Sequence, residues 1–108
     1  MIELIDNAKD EIAVLCRQYR IKRLDVFGSA ATGEFDPETS DIDFLVDLGG
    51  YELGVSGRFL DFANALEQLL GYAIDLVTED SIRNPYFRRS VERSREPVYE
   101  RASDQAVA

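Results

Sequence analysis

Apolar positions along this chain recur with two different periods. Ile5, Ala8, Ile12, Leu15, Cys16 and Tyr19 are spaced by three and four, which predicts an amphipathic helix over residues 3–20. Asp6, Asp10 and Glu11 lie toward its start and Arg17 and Arg20 at its end, as the helix dipole favours. Residues 23–28 read as a short strand in which Leu24, Val26 and Phe27 are apolar and Gly28-Ser29 stops the run. Ala30-Ala31-Thr32 begins a short helix that ends at Gly33, and residues 34–40 form a loop with Asp36-Pro37 as its turn. Residues 41–48 form a second strand, whose nearly all-apolar latter half suits a strand covered on both faces. Gly49-Gly50, Gly54 and Gly57 mark a flexible connection. Phe59, Phe62, Ala63, Leu66, Leu69 and Leu70 then give a helical stripe closed by Gly71. Residues 72–78 predict a third strand. A last helix starts at Asn84-Pro85, with Asn as cap and Pro in the first turn, and runs to Arg95 before Glu96-Pro97 ends it. Pro97-Val98-Tyr99 reads as a short extended segment.

This order describes one α/β (α+β) domain over residues 1–101, with a small three-stranded mixed sheet and helices packed on it. Residues 102–108 read as a frayed C-terminal tail. Strand order stays open. At 108 residues with 45% hydrophobic content, the chain can bury one modest core. The absence of histidine and the single cysteine remove Ser-His-Asp and Cys-His catalysis, structural zinc and an internal disulfide. Cys16 lies on the apolar stripe and reads as a buried, inert thiol. No apolar run is long enough to span a membrane and no secretory signal is visible, so the cytoplasm is the expected location. A net charge of −9 argues against direct nucleic-acid binding. Seventeen of the 21 acidic residues fall in residues 1–82, whereas half of the 12 basic residues fall in residues 83–108. Arg83, Arg88, Arg89, Arg93 and Arg95 could therefore meet a triphosphate or a partner, or could pair with neighbouring glutamates on a solvated helix. Tyr72, Tyr86 and Tyr99 read as packing residues with a polar tip.

Three features carry the candidate chemistry. Asp41 and Asp43 are two apart in a strand, so both side chains share a face, roughly 7 Å apart at Cα. Like charges so placed repel, and no Lys or Arg lies within ten residues of either. A divalent cation such as Mg²⁺, bound through hard oxygens, is the natural counter-charge; two aspartates in a solvated loop are the plainer alternative. Asp75 interrupts the apolar run Ala73-Ile74-Asp75-Leu76-Val77, so it either completes such a site or faces solvent on an edge strand. Gly28-Ser29 offers a turn where backbone N–H groups can approach a phosphate, with the Ser29 hydroxyl as a further donor.

Val26-Phe27-Gly28-Ser29-Ala30-Ala31-Thr32-Gly33, followed by Ser40-Asp41-Ile42-Asp43-Phe44-Leu45-Val46, resembles the signature of the polymerase-β-like nucleotidyltransferase superfamily. Within it the sequence is most similar to the minimal nucleotidyltransferase (MNT) proteins of prokaryotes, and Leu69 to Val77 resembles their third-carboxylate strand. The likeness spans residues 10–100. It implies a nucleotidyltransferase palm in which Gly28 and Ser29 hold the triphosphate of ATP. Asp41 and Asp43 would bind two Mg²⁺ ions, and Asp75 would complete the site and activate an acceptor hydroxyl. Eleven residues separate Ser29 from Asp41, one more than the commoner family spacing, which implies a longer loop at Asp36-Pro37. The resemblance also implies a HEPN-domain toxin as partner, its tyrosine as AMP acceptor and an antitoxin role. Two other readings are an antitoxin that works by binding alone and a transferase acting on a small molecule. Homo- and hetero-oligomers are both open.

Overall fold

The computed structural model describes residues 1–50 and 52–101; the tail expected at residues 102–108 lies outside them. Its elements are α1 (Glu3–Asn7), α2 (Lys9–Gln18), β1 (Arg23–Phe27), α3 (Ser29–Thr32), β2 (Ile42–Asp47), α4 (Val55–Leu70), β3 (Ile74–Thr78), a 3-10 turn (Glu79–Ser81), α5 (Pro85–Ser94) and β4 (Glu96–Glu100). The strands form one four-stranded sheet in the order β3-β2-β1-β4. β1 pairs antiparallel with both β2 and β4, and β2 pairs parallel with β3 across the α4 crossover. The sheet is therefore mixed, as the short β1–β2 connection implies, but it holds four strands where three are expected. The fourth grows from the Pro97-Val98-Tyr99 segment. Pro97 lacks an N–H, which hides the strand in sequence; an outer strand tolerates it, and the β1–β4 register slips beside it at Leu24/Asp25.

Alternation along the strands gives the sheet two unlike faces. Leu24 and Val26 of β1 and Ile42, Phe44 and Val46 of β2 enter the main core with Ile5, Ile12, Cys16, Phe62, Leu66 and Leu70 from α1, α2 and α4. Burial pushes the Cys16 thiol up to about 12 against a small opposing effect of Arg17, so it is an inert packing group. The helix expected over residues 3–20 is two helices broken at Ala8, whose φ of −102° and ψ of 6° leave the helical range. Ile5 and Ile12, one on each side of the break, are both fully buried, and Ile2 N–H bonds the Ala30 carbonyl at 2.9 Å. α4 begins at Val55, so Gly57, expected in a connecting loop, lies inside the helix. Among the described residues no helix is long and apolar enough to cross a membrane.

The opposite face is covered only in part. Val91 of α5 and Ile82 close a small core with Phe27, Leu45 and Val77. Asn84 caps α5 as expected, its carboxamide oxygen accepting from Tyr86 N–H at 2.8 Å. A buried acid fixes the other end of α5. Asp25 is 1% exposed, and it accepts from Arg95 Nε at 2.8 Å and from Arg23 Nε at 3.0 Å. Arg95 also binds Glu79 at 3.1 Å and Glu92 at 2.7 Å. Removing one partner of such a pair strands a buried charge. Arg95→Leu should lower the unfolding free energy by about 3 kcal/mol in urea denaturation. A loss below about 1 kcal/mol would place this contact with ordinary surface ion pairs.

Candidate active site

The open part of that second face carries the carboxylates. Asp43 sits between Ile42 and Phe44, which are buried in the main core, so its side chain emerges on the α5 side. Across the sheet its register partners are Phe27 on β1 and Asp75 on β3. Phe27, Asp43 and Asp75 thus form one lateral row. Asp41 precedes β2 and is exposed, Asp43 is half-buried, and Asp75 is exposed on the edge strand. Asp75 thus combines solvent exposure with a place directly opposite Asp43 in the parallel register.

Gly28 closes the site from the β1 side. Its φ is +70°, and a Cβ there would stand 2.6 Å from Asp43 Oδ2. Both the conformation and the space exclude a side chain. The Gly28 carbonyl accepts from Ala31 and Thr32 N–H at 3.0 and 3.2 Å. Its own N–H donates to Ser94 Oγ on α5 at 3.0 Å. Ser29 opens the short α3 directly after this turn. The structure therefore brings Gly28, Ser29, Asp43 and Asp75 to one end of the sheet, with Asp41 at the entry to β2. Sequence reasoning missed Ser94, which meets Gly28 across 66 residues of chain and carries no local motif.

Electrostatics mark Asp43 as the strained member. Its pKa is pushed up to about 6, first by burial, then by the negative charge of Asp75, then by that of Asp41. Among the described residues no arginine pairs with this trio. Arg95 is bound to Asp25, Glu79 and Glu92, Arg88 holds the Glu79 and Ile82 carbonyls at 2.9 and 2.8 Å, and Arg89 lies over the Tyr86 ring at 5.9 Å. The described residues hold no three acids converged closely enough to enclose a cation by themselves. The donor set still fits Mg²⁺, which takes one or two carboxylates and completes its shell with water and substrate phosphates. Uncompensated hard oxygens beside a phosphate-sized turn are the required donors.

A family model described as a nucleotidyltransferase domain matches residues 10–98. The chain belongs to this nucleotidyltransferase family. It is 42% identical over 79 residues to a Methanocaldococcus jannaschii relative provisionally named protein adenylyltransferase MJ1217, covering 73% of this chain and 78% of the relative. A solved structure provisionally described as a minimal nucleotidyltransferase aligns with a TM-score of 0.69 and 33% identity, over 89% of this chain and 96% of that one. A chain in a solved complex of tri-AMPylated Shewanella oneidensis HEPN toxin with MNT antitoxin shares the fold. Its TM-score is 0.62 at 18% identity, over 95% of this chain and 78% of that one.

The raised Asp43 pKa has a sign that metal-free protein should reveal. Well below the unfolded value the carboxyl is protonated in both states and costs nothing; above about 6 it ionises and opposes folding. Asp43→Asn should therefore raise the melting temperature by several degrees at about pH 8, corresponding to about 1 kcal/mol after screening by solvent, and leave it unchanged at about pH 4. Thermal melts in EDTA check this. Equal shifts at both pH values would contradict the repulsion.

Proposed function

We propose that this nucleotidyltransferase is Mg²⁺-dependent, moves AMP from ATP to a tyrosine hydroxyl of a HEPN-type toxin, and thereby acts as the toxin's antitoxin. One observation carries the reading. The Asp43–Asp75 register pair stands beside a glycine turn in which no side chain fits. The name of the archaeal relative and the tri-AMPylated toxin in the complex of shared fold support the acceptor class and the partner.

In this scheme the backbone and hydroxyl of Gly28-Ser29 hold the triphosphate, and Asp41, Asp43 and Asp75 would hold the magnesium. Bound there, two ions would neutralise charge on the transferred phosphoryl and on the leaving pyrophosphate. The acceptor oxygen attacks the α-phosphorus in line, forming a new P–O bond. The bond to the bridging oxygen of the β-phosphate breaks, and pyrophosphate leaves with that electron pair. Asp75 is exposed at the open edge, where an incoming hydroxyl can reach it, and takes the acceptor's proton. Cations bound beside Asp43 would favour its ionised form.

Label transfer tests the reading. Protein incubated with α-labelled ATP, magnesium and the toxin partner should label the toxin and release pyrophosphate. Asp41→Asn with Asp43→Asn should cut transfer by about 100-fold or more, the scale of losing an electrostatic stabiliser of the transition state. Transfer that survives this double change would overturn the catalytic scheme. Toxin neutralisation that survives while transfer is lost would show that binding is enough for the antitoxin role.

A further inference from the structure

The carboxylate row ends in an aromatic step that the chemistry above leaves unused. Phe27, the register partner of Asp43, is 4% exposed, whereas Phe87 on α5 meets it edge-on at 5.9 Å and 73° and remains 42% exposed. The small core of Phe27, Leu45, Ile82 and Val91 is assembled without Phe87. Phe87, Ser90 and Ser94 follow one another by three and four residues, so they form one stripe along α5. Its far end is Ser94, fixed to the Gly28 N–H at 3.0 Å, and Ser90 between is small and exposed. Seven residues of helix separate the aromatic ring from that contact, about 10 Å along the axis. That span is comparable to the reach from the phosphates to the base in an extended nucleotide.

We infer that this stripe is the nucleoside half of the site, with Phe87 stacking the base of the triphosphate whose phosphates lie at Gly28-Ser29. The inference deepens the reading under Proposed function and rests on it. The ring is anchored by Phe27, so a base meets a platform that is already ordered, and little rotamer freedom is lost on binding. Stacking on an aromatic ring serves every base, so the platform contributes affinity more than discrimination between bases.

The test compares MgATP with magnesium tripolyphosphate, which has the phosphates and no base. Wild-type protein should bind ATP more tightly than tripolyphosphate. Phe87→Leu, which keeps an apolar contact on Phe27 but has no flat face, should weaken ATP by about tenfold, within the range of one base–aromatic stack, and leave tripolyphosphate unchanged. The chain has no tryptophan, so Phe87→Trp installs a single indole reporter. Its fluorescence should be quenched by MgATP and not by tripolyphosphate. Equal weakening of both ligands by Phe87→Leu, no weakening of either, or an identical response of the Phe87→Trp reporter to both would overturn the base platform while leaving the nucleotidyltransferase reading in place. Wild-type protein that binds neither ligand would overturn that reading and the platform with it.

Discussion

The site depends on one close approach, that of the Asp43 carboxylate to the bare Cα of Gly28. At that turn φ is +70° and an added Cβ would lie 2.6 Å from Asp43 Oδ2. The carboxylate is thereby kept beside the backbone that would meet a phosphate, with Asp75 opposite it and Asp41 two residues before it. Burial pushes the Asp43 pKa up first, the charges of Asp75 and Asp41 push it further, and among the described residues no basic side chain pairs with the trio. Under the proposed reading a bound cation would relieve this penalty, and the stability given up in the free protein would become affinity for the loaded state.

Everything around this contact holds it in place. The main core fills the other side of the sheet with Phe44, Phe62 and the aliphatic residues of α1, α2 and α4, so β2 cannot slip register without burying Asp43 and exposing its apolar neighbours. On the active face α5 is fixed at its C-terminal end, where Arg95 reaches the buried Asp25. One residue earlier, Ser94 accepts the Gly28 N–H. The ion pair to Asp25 and the contact to the Gly28 turn thus come from adjacent residues at one helix end. The arginines in the C-terminal segment mostly serve this architecture: Arg95 and Arg88 are engaged with acids and carbonyls, away from the carboxylate row.

Much of this was legible in the sequence because the relevant signals are local. The short apolar runs around Val26, Phe44 and Leu76 define β1, β2 and β3, and the Gly-Ser turn and the Asp41/Asp43 spacing lie at the ends of β1 and β2. What escaped depends on long-range pairing. Pro97-Val98-Tyr99 reads as extended, but with a donor missing at Pro97 nothing local shows that it pairs with β1 as a fourth strand. The helix break at Ala8 falls inside an unbroken three-and-four spacing, so the pattern does not reveal it. Asp25 carries no signal of burial in the strand's own sequence; Arg95, 70 residues away, supplies the partner that accompanies it. Ser94 and Phe87 have no motif at all; their meaning comes from where α5 lands on the sheet.

The direct measurement of the central contact is a carbon-detected NMR pH titration of the Asp43 side-chain carboxyl, first in EDTA and then with magnesium and a non-hydrolysable ATP analogue. The account predicts a midpoint near 6 in the free protein and a fall to or below the ordinary carboxylate range of about 4 once cation and nucleotide are bound. A midpoint that starts near about 4, or one that stays near 6 with both ligands present, would contradict it.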